Sequence, residues 1–338
     1  MIFGWVSIVA FLASCALTAW LRRHLRVKQL VDRPNSRSSH NVPTPRGGGL
    51  SIVVVTTLGA IALYLADGMS VSLASALVWG GLSVAAVGFW DDIRSVPVVT
   101  RMGVHVSAAV LAVFFLGNAS AIHVGEIVIN PGPLGPVLAV ISIVWILNLF
   151  NFMDGIDGIA ASEGAFVLCA ASGLELFLAH GSTIEIAAEL IAGAACVGFL
   201  VWNWAPASIF MGDVGSGYLG YVIAVFAIDS SRATSIGIYA WLILGGVFVV
   251  DSTLTLFRRL FRGEPIFQAH RIHAYQWLSR RWGSHSAVTL TVIAVNLAWL
   301  LPCAALAVRQ SAHAPWICLV ALAPVALCAI LGGAGRPE

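Results

Sequence analysis

The feature that most constrains this chain is a repeated length. Runs of about 17 to 25 residues with hardly a charge among them recur from one end to the other, each long enough to cross a roughly 30 Å hydrocarbon layer as a helix. Eleven can be read, near residues 2–21, 48–66, 71–90, 102–117, 137–153, 163–180, 184–203, 214–229, 236–257, 286–308 and 314–333. The composition agrees, with 59% hydrophobic and 10% charged residues among 338, well away from the soluble range. In lipid every backbone polar group must find its partner inside the protein, which makes the helix the natural form for such runs. The expectation is an all-α polytopic membrane helix bundle of about eleven transmembrane helices, with residues 1–338 forming a single transmembrane domain and no soluble module or internal repeat.

The charges that interrupt the runs set an orientation. Of the 18 Lys and Arg residues, all but Arg232 and Arg309 fall in the segments 22–46, 91–101 and 258–285 or at Arg336. Positive residues stay on the cytoplasmic side, so the N-terminus is expected outside and the C-terminus in the cytoplasm. The first run has its basic cluster behind it rather than in front, which makes it a span and not a cleavable signal. Cys15, Cys169, Cys196, Cys303, Cys318 and Cys328 all lie inside apolar runs without Cys-x-x-Cys spacing. They read as small buried hydrophobes rather than disulfide or metal partners.

With that topology the unusual stretches share a side. PTPRGGG (43–49), WDDIRS (90–95), NFMDGIDG (151–158), FMGDVGSG (210–217) and HRIH (270–273) all fall at the cytoplasmic face. The outer side offers one longer piece, HVGEIVINPGPLGP (123–136), whose alternation and Pro/Gly ending suggest a small hairpin. Asp91 and Asp92 close a helix, where two acids oppose the macrodipole; a solvated helix end would be served better by one acid or by Lys. Asp154 and Asp157, three apart, would share one face of a helical turn, although a polar loop with turn glycines explains the same letters. Close packing through small residues explains the glycines around Asp213 but not the acid itself.

Together the inner motifs make an oxygen-rich surface of Asp91, Asp92, Asp154, Asp157, Asp213, Asn148 and Asn151. Hard oxygens without a Cys/His pattern suit Mg²⁺, or Mn²⁺, bridging carboxylates to substrate phosphates. Opposite them stand Arg46, His270, Arg271 and His273, cations able to grip phosphate oxygens; contact of the histidines with lipid headgroups is the lesser alternative. Acids for a metal and cations for phosphate imply a phosphate-bearing substrate. Nothing points to nucleic acid.

RSSHNVPTPRGGG (37–49), FWDD (89–92), NLFNFMDGIDGIA (148–160), FMGDVGS (210–216) and HRIHAYQWL (270–278) resemble the signature regions of the polyprenyl-phosphate N-acetylhexosamine-1-phosphate transferases. HRIHAYQ is most similar to the bacterial branch that initiates O-antigen, since the peptidoglycan branch usually carries a triple-His run there. One departure is visible: the acid or Lys that many members have after the Asp pair is absent, the pair being followed by Ile93, Arg94 and Ser95.

The resemblance implies a multi-pass enzyme of the bacterial cytoplasmic (inner) membrane, a homodimer being compatible with it. Such an enzyme transfers N-acetylhexosamine 1-phosphate from a UDP-N-acetylhexosamine to a polyprenyl (undecaprenyl) phosphate, releasing UMP. By the same resemblance Asp213 and Asn151 would hold Mg²⁺. Asp91 and Asp92 would orient the acceptor phosphate or metal waters, and Asp154 would lie beside the diphosphate. Asp157 and Phe210 would contact uracil, Asn148 and Arg46 would help to bind substrate, and His270, Arg271 and His273 would bind phosphate and sugar.

Two other classes fit parts of the chain. A transporter would place its ionisable residues near the bilayer midplane between repeated halves, and Asp251 is the best candidate for such a group. It precedes Arg258 by seven residues, roughly 10 Å of helix, and so sits near the inner interface instead. A CDP-alcohol phosphatidyltransferase would carry an Ala-Arg and a trailing double-Asp pattern, absent after Asp154-Gly155.

Overall fold

Every expected apolar run is helical in the computed structural model, which describes residues 2–28, 30–32, 43–117, 122–124, 127–179, 183–232, 236–265 and 270–337. The first seven helices are α1 (Ile2–Val27), α2 (Leu50–Leu65), α3 (Val71–Ile93), α4 (Val98–Leu116), α5 (Leu134–Met153), α6 (Ile159–Ala179) and α7 (Thr183–Asn203). The remainder are α8 (Asp213–Arg232), α9 (Ile238–Leu244), α10 (Gly246–Phe261), α11 (Ala274–Trp282), α12 (His285–Arg309) and α13 (Ser311–Gly332). The start of RSSHNVPTPRGGG, residues 33–42, lies outside the described residues.

Two of the eleven expected spans differ from a simple rod. Among the described residues nine helices are long and apolar enough to cross a membrane, whereas α2 is a shorter apolar helix of 16 residues. The run 236–257 is split into α9 and α10, bent by 81°. The break falls at Gly245-Gly246, where the absence of side chains weakens helix propensity. A Cβ on Gly246 would also meet Leu300 and Leu322, so the bend lets α10 leave the line of α9 and pack on α5 and α13.

The bundle is organised around α8, which contacts α2, α3, α5 and α6, while α1 and α6 flank α7. Its interior holds bulky side chains such as Phe150, Phe199, Tyr218, Tyr221, Phe226 and Phe248, and its outer surface is equally greasy, with Trp5, Leu12, Phe114 and Ile141 exposed. Polar side chains work inside as helix-to-helix links: Thr18 donates to Ser51 Oγ at 2.8 Å and Ser14 to the Ala195 carbonyl at 2.7 Å. An apolar exterior around a partly polar interior is what a chain solvated by lipid requires.

The cysteines are all free, with Cys196 and Cys318 buried as expected but Cys169 and Cys328 exposed on the apolar exterior. Two small antiparallel pairings complete the described structure: β1 (Val31–Asp32) with β2 (Thr44–Pro45), and β3 (Ile122–Val124) with β4 (Ile127–Ile129). The second is the hairpin expected from HVGEIVINPGPLGP. It contacts the turn 311–313 between α12 and α13.

Candidate active site

PTPRGGG, the end of α3 and FMGDVGSG converge because their glycines let backbones touch. Gly88 of α3 lies against the Asp213–Val214 peptide at the start of α8, and Gly49 lies against Gly215, positions where an added Cβ would clash with backbone. The PTPRGGG and FMGD stretches run side by side: Phe210 N–H donates to the Pro45 carbonyl at 2.8 Å, and the N–H groups of Gly48 and Gly49 donate to the carbonyls of Phe210 and Met211, each at 2.9 Å. Small-residue packing and an acidic site are therefore the same construction. The first brings the second together.

One turn beyond Gly88, Asp92 accepts from the backbone N–H of Asp213 at 2.9 Å and of Val214 at 3.1 Å. The acid that opposes the dipole of its own helix caps the positive end of α8. Arg46 bridges the cluster, with Nε 2.8 Å from Asp92 Oδ1 and a terminal nitrogen 2.5 Å from Asp213 Oδ1. Arg101, in the first turn of α4, reaches Asp91 Oδ2 at 2.8 Å and Asp213 Oδ2 at 3.0 Å. The other Asp91 oxygen accepts from Val96 N–H at 2.6 Å. In the sequence Arg101 reads only as a topological charge; its spacing of ten residues from Asp91, across a loop, carries no periodic signal.

Asp213, Arg101, His105, Asn148, Asn151 and Phe152 line one recess. Asn151 Nδ2 donates to Ser216 Oγ at 3.0 Å and Asn148 Nδ2 to the Val144 carbonyl at 2.7 Å, which leaves each amide oxygen as the remaining acceptor.

Asp154 and Asp157 do not share a helical face. Helix α5 ends at Met153, Asp154 is its C-terminal cap, and Gly158 takes a left-handed conformation (φ 77°) before α6 begins. The carboxylates consequently serve different neighbourhoods. Burial pushes the Asp154 carboxyl up to about 7; Arg46 opposes that shift, and Asp213, Asp92 and Asp157 reinforce it. Asp157 Oδ2 accepts from Ala207 N–H at 3.1 Å and lies 3.3 Å from His285 Nδ1 at the start of α12. Gly158 N–H donates to Asn203 Oδ1 at 3.1 Å, and Asn203 in turn donates to the Ile209 carbonyl at 2.9 Å, tying Asp157 to the strand that ends in half-buried Phe210. His285, preceding an apolar run, gave no sign of this in the sequence.

The HRIH segment is less open than its charges suggest. His273 is 1% exposed, with Nδ1 3.5 Å from Asp251 Oδ1. His270 has its ring centroid 4.9 Å from that of His273. Burial, with His273 and Arg259 nearby, pushes the His270 imidazole down to about 3, so it is neutral at pH 7 and not the cation expected from its type. Arg271 is half-buried, its carbonyl accepting from Arg280 at 2.9 Å. Asp251, the candidate intramembrane ion site, is committed to protein donors.

Sequence comparison relates the chain to known proteins. Residues 74–231 match the family model Glycosyl transferase family 4. A Bacillus subtilis (strain 168) protein named as a probable undecaprenyl-phosphate N-acetylglucosaminyl 1-phosphate transferase is 27% identical over 294 residues, 86% of this chain and 80% of that one. A phospho-N-acetylmuramoyl-pentapeptide-transferase of Frankia alni is 31% identical over 324 residues, covering 80% of this chain and 88% of its own. A decaprenyl-phosphate N-acetylglucosaminephosphotransferase of Mycobacterium tuberculosis is 29% identical over 301 residues, 78% of this chain and 72% of its own. A membrane helix bundle in which Asp91, Asp92 and Asp213 meet Arg46 and Arg101 at the start of α8 thus belongs, by sequence, to the polyprenyl-phosphate N-acetylhexosamine-1-phosphate transferases of glycosyl transferase family 4.

Proposed function

We propose that this chain transfers an N-acetylhexosamine 1-phosphate from a UDP-sugar to undecaprenyl phosphate at the cytoplasmic face of the inner membrane, releasing UMP, as a first step toward O-antigen or a related surface polysaccharide. The observation that carries the reading is the lattice in which Arg46 and Arg101 bridge Asp91, Asp92 and Asp213 beside the Asn148–Asn151 recess. Family resemblance and the names of the relatives support the substrate class. The two-histidine HRIH segment supports the O-antigen branch over the peptidoglycan one.

The residues present fit Mg²⁺. Among the described residues no cage of three or more His, Cys, Asp or Glu closes on a point, but Asp213, held by Arg46 and Arg101, and the amide of Asn151 beside it would offer a sparse oxygen set of the kind that leaves positions for water and phosphate. When bound there, the ion would neutralise charge on the sugar nucleotide's diphosphate. In the reaction an oxygen of the acceptor phosphate attacks the sugar-bearing phosphorus; a P–O bond to the acceptor forms, the P–O bond to UMP breaks, and UMP leaves with the electron pair. Catalysis is then mainly positioning and charge stabilisation. Asp92 holds the N-terminus of α8 in place, and Arg46 and Arg101 supply two guanidinium groups for phosphate oxygens. Asp154 faces the same charges, while Asp157 and Phe210 form the ledge for the base. An acceptor phosphate is already largely ionised at pH 7, so no strong base is required.

Purified protein given a panel of UDP-N-acetylhexosamines, undecaprenyl phosphate and Mg²⁺ should release UMP with at least one sugar; no release with any of them overturns the reading. The orientation is tested by membrane-impermeant labelling of single cysteines at the exposed residues Ser95 and Asn130. The first should react only from the cytoplasmic side and the second only from outside.

A further inference from the structure

Asp251 sits 3% exposed on α10, away from the acidic lattice, and spends both carboxylate oxygens on the start of a different helix. Oδ1 accepts from Ala274 N–H at 2.9 Å and Oδ2 from Tyr275 N–H at 3.1 Å. Those are the first two backbone donors of α11, groups that have no partner within their own helix. Oδ1 also accepts from Thr255 Oγ1 at 3.2 Å and stands 3.5 Å from His273 Nδ1, which sets the side chain of the residue just before α11 beside the same carboxylate. His273 N–H meanwhile donates to Gln276 Oε1 at 3.2 Å, closing the turn on itself.

The consequence reaches the MDGIDG loop through one side chain. Tyr275, 3% exposed, donates its hydroxyl to the Phe152 carbonyl at 3.0 Å, and that hydroxyl oxygen occupies the place that a Cβ on Gly155 would need. Gly155 is thus a bare site against which Tyr275 is laid, between Asp154 and Asp157. The His273 ring stacks beside Tyr275 at 5.8 Å and faces Phe152 at 6.4 Å. Carboxylate, helix start, tyrosine and loop form one continuous strut from the broken helix to the two loop acids.

We propose that Asp251 is a positioning residue for the transferase: through the N-terminus of α11 and Tyr275 it fixes the HRIH segment and the Asp154–Asp157 loop in one geometry. The proposal rests on the transferase reading for its kinetic arm only. Asp251 touches neither substrate nor the recess. Its effect is exerted through Tyr275, so the two residues should act as one unit, and units of that kind are non-additive on mutation.

The test uses the full-length protein in detergent with Asp251→Asn, Asp251→Glu, Tyr275→Phe and the double variant Asp251→Asn/Tyr275→Phe. Asparagine keeps one acceptor and loses the other; phenylalanine removes only the hydroxyl. Each of these two single variants should lower kcat for UMP release about 10- to 100-fold, the scale of a misplaced catalytic loop. The double variant should be no worse than about twofold below the more severe single one. Asp251→Glu, which retains a carboxylate, should recover part of the loss. Hydrogen exchange, read by mass spectrometry, should accelerate over 152–158 in both single variants and over 274–276 in Asp251→Asn. Multiplied losses in the double variant, or unchanged exchange over 152–158, overturn the proposal. If Asp251→Asn does not fold, Tyr275→Phe decides by the same exchange measurement. A wild-type protein that releases no UMP defeats the transferase reading instead, and the exchange arm still reports on the strut.

Discussion

The two ends of α8 carry similar numbers of acids and treat them in opposite ways. At its N-terminus, every carboxylate oxygen of Asp91, Asp92 and Asp213 has a placed donor: Val96, Asp213 and Val214 backbone N–H groups, Arg46 or Arg101. At its C-terminus, Asp229 stands within electrostatic reach of Glu175, Glu185 and Glu189, with Arg232 as the neighbouring cation. There Glu175 is fully buried with neither oxygen hydrogen-bonded, and Glu189 has Ser172 Oγ at 3.1 Å. The dipole of α8 favours acids at the first end and opposes them at the second. Acid count alone does not mark a site; the density of aimed donors around the acids does.

The comparison predicts its own largest effect. Asp213→Asn should lower turnover about 1,000-fold or more while the protein still folds, because a transition-state charge contact is removed. Glu175→Gln should leave UMP release within about twofold, since nothing at that end touches substrate. EDTA should abolish activity and added Mg²⁺ or Mn²⁺ should restore it. Full activity in EDTA, or equal losses from the two substitutions, would erase the distinction between the ends. Next in size is Arg101→Ala, which strips one partner from both Asp91 and Asp213: a loss of about 10- to 100-fold in kcat/KM is expected, as for removing one side of a buried charged pair. An unchanged kcat/KM would make Arg101 a bystander of the lattice.

How much of this was legible beforehand depends on what each residue's neighbours are. The helices were readable because apolar length is a local property, and the inner motifs were readable because acids and glycines at span ends defy simple solvation. The break at Gly245-Gly246 was not: ILGGVF differs from an uninterrupted apolar run only by two glycines, and the packing of α10 on α5 and α13 decides whether they bend. Arg101 and His285 were hidden for the same reason, being single residues whose partners lie 112 and 128 positions away in sequence. Periodicity misleads at Asp154 and Asp157, because α5 ends at Met153 and the loop from Asp154 to the left-handed Gly158 is not helical, so the spacing of three sets no common face. The motif HRIH is visible as chemistry, yet His273 is buried beside Asp251, a placement that its letter does not announce.

A smaller effect separates the parts of the site end from each other. Asp157, which accepts from Ala207 N–H beside His285, is the carboxylate proposed to meet the base, where interactions are the same in ground and transition state. Asp157→Asn should therefore raise KM for the UDP-sugar by about 1 to 3 kcal/mol, roughly 5- to 150-fold, with kcat nearly kept. Steady-state kinetics in detergent check it. Loss of kcat at saturating sugar nucleotide would move Asp157 from the base to the reacting phosphates.

The smallest effect concerns stability, and it is the one that distinguishes a functional carboxylate from a structural one. Burial raises the Asp154 carboxyl to about 7, against an ordinary value of 3.8. The folded protein thus holds this proton more tightly than the unfolded chain does. The resulting contribution to folding is fully present below pH 4 and is lost as pH rises through 7, so at pH 8 the ionised Asp154 is a net burden. Asp154→Asn cannot ionise and is relieved of it. The relief is discounted by the partial exposure of Asp154 and by Arg46 nearby, to about 1 kcal/mol, on the order of 2 °C in Tm. With Asp154 proposed to stand beside the diphosphate, the variant should lose kcat by orders of magnitude, yet melt higher than wild type at pH 8 and by a smaller margin at pH 5. Thermal unfolding in detergent at the two pH values reads this out. A lower Tm for Asp154→Asn at pH 8 would mean that attraction to Arg46 outweighs burial, and that this carboxylate belongs with the fully partnered acids of Asp92 and Asp213 rather than with the residues that sacrifice stability for turnover.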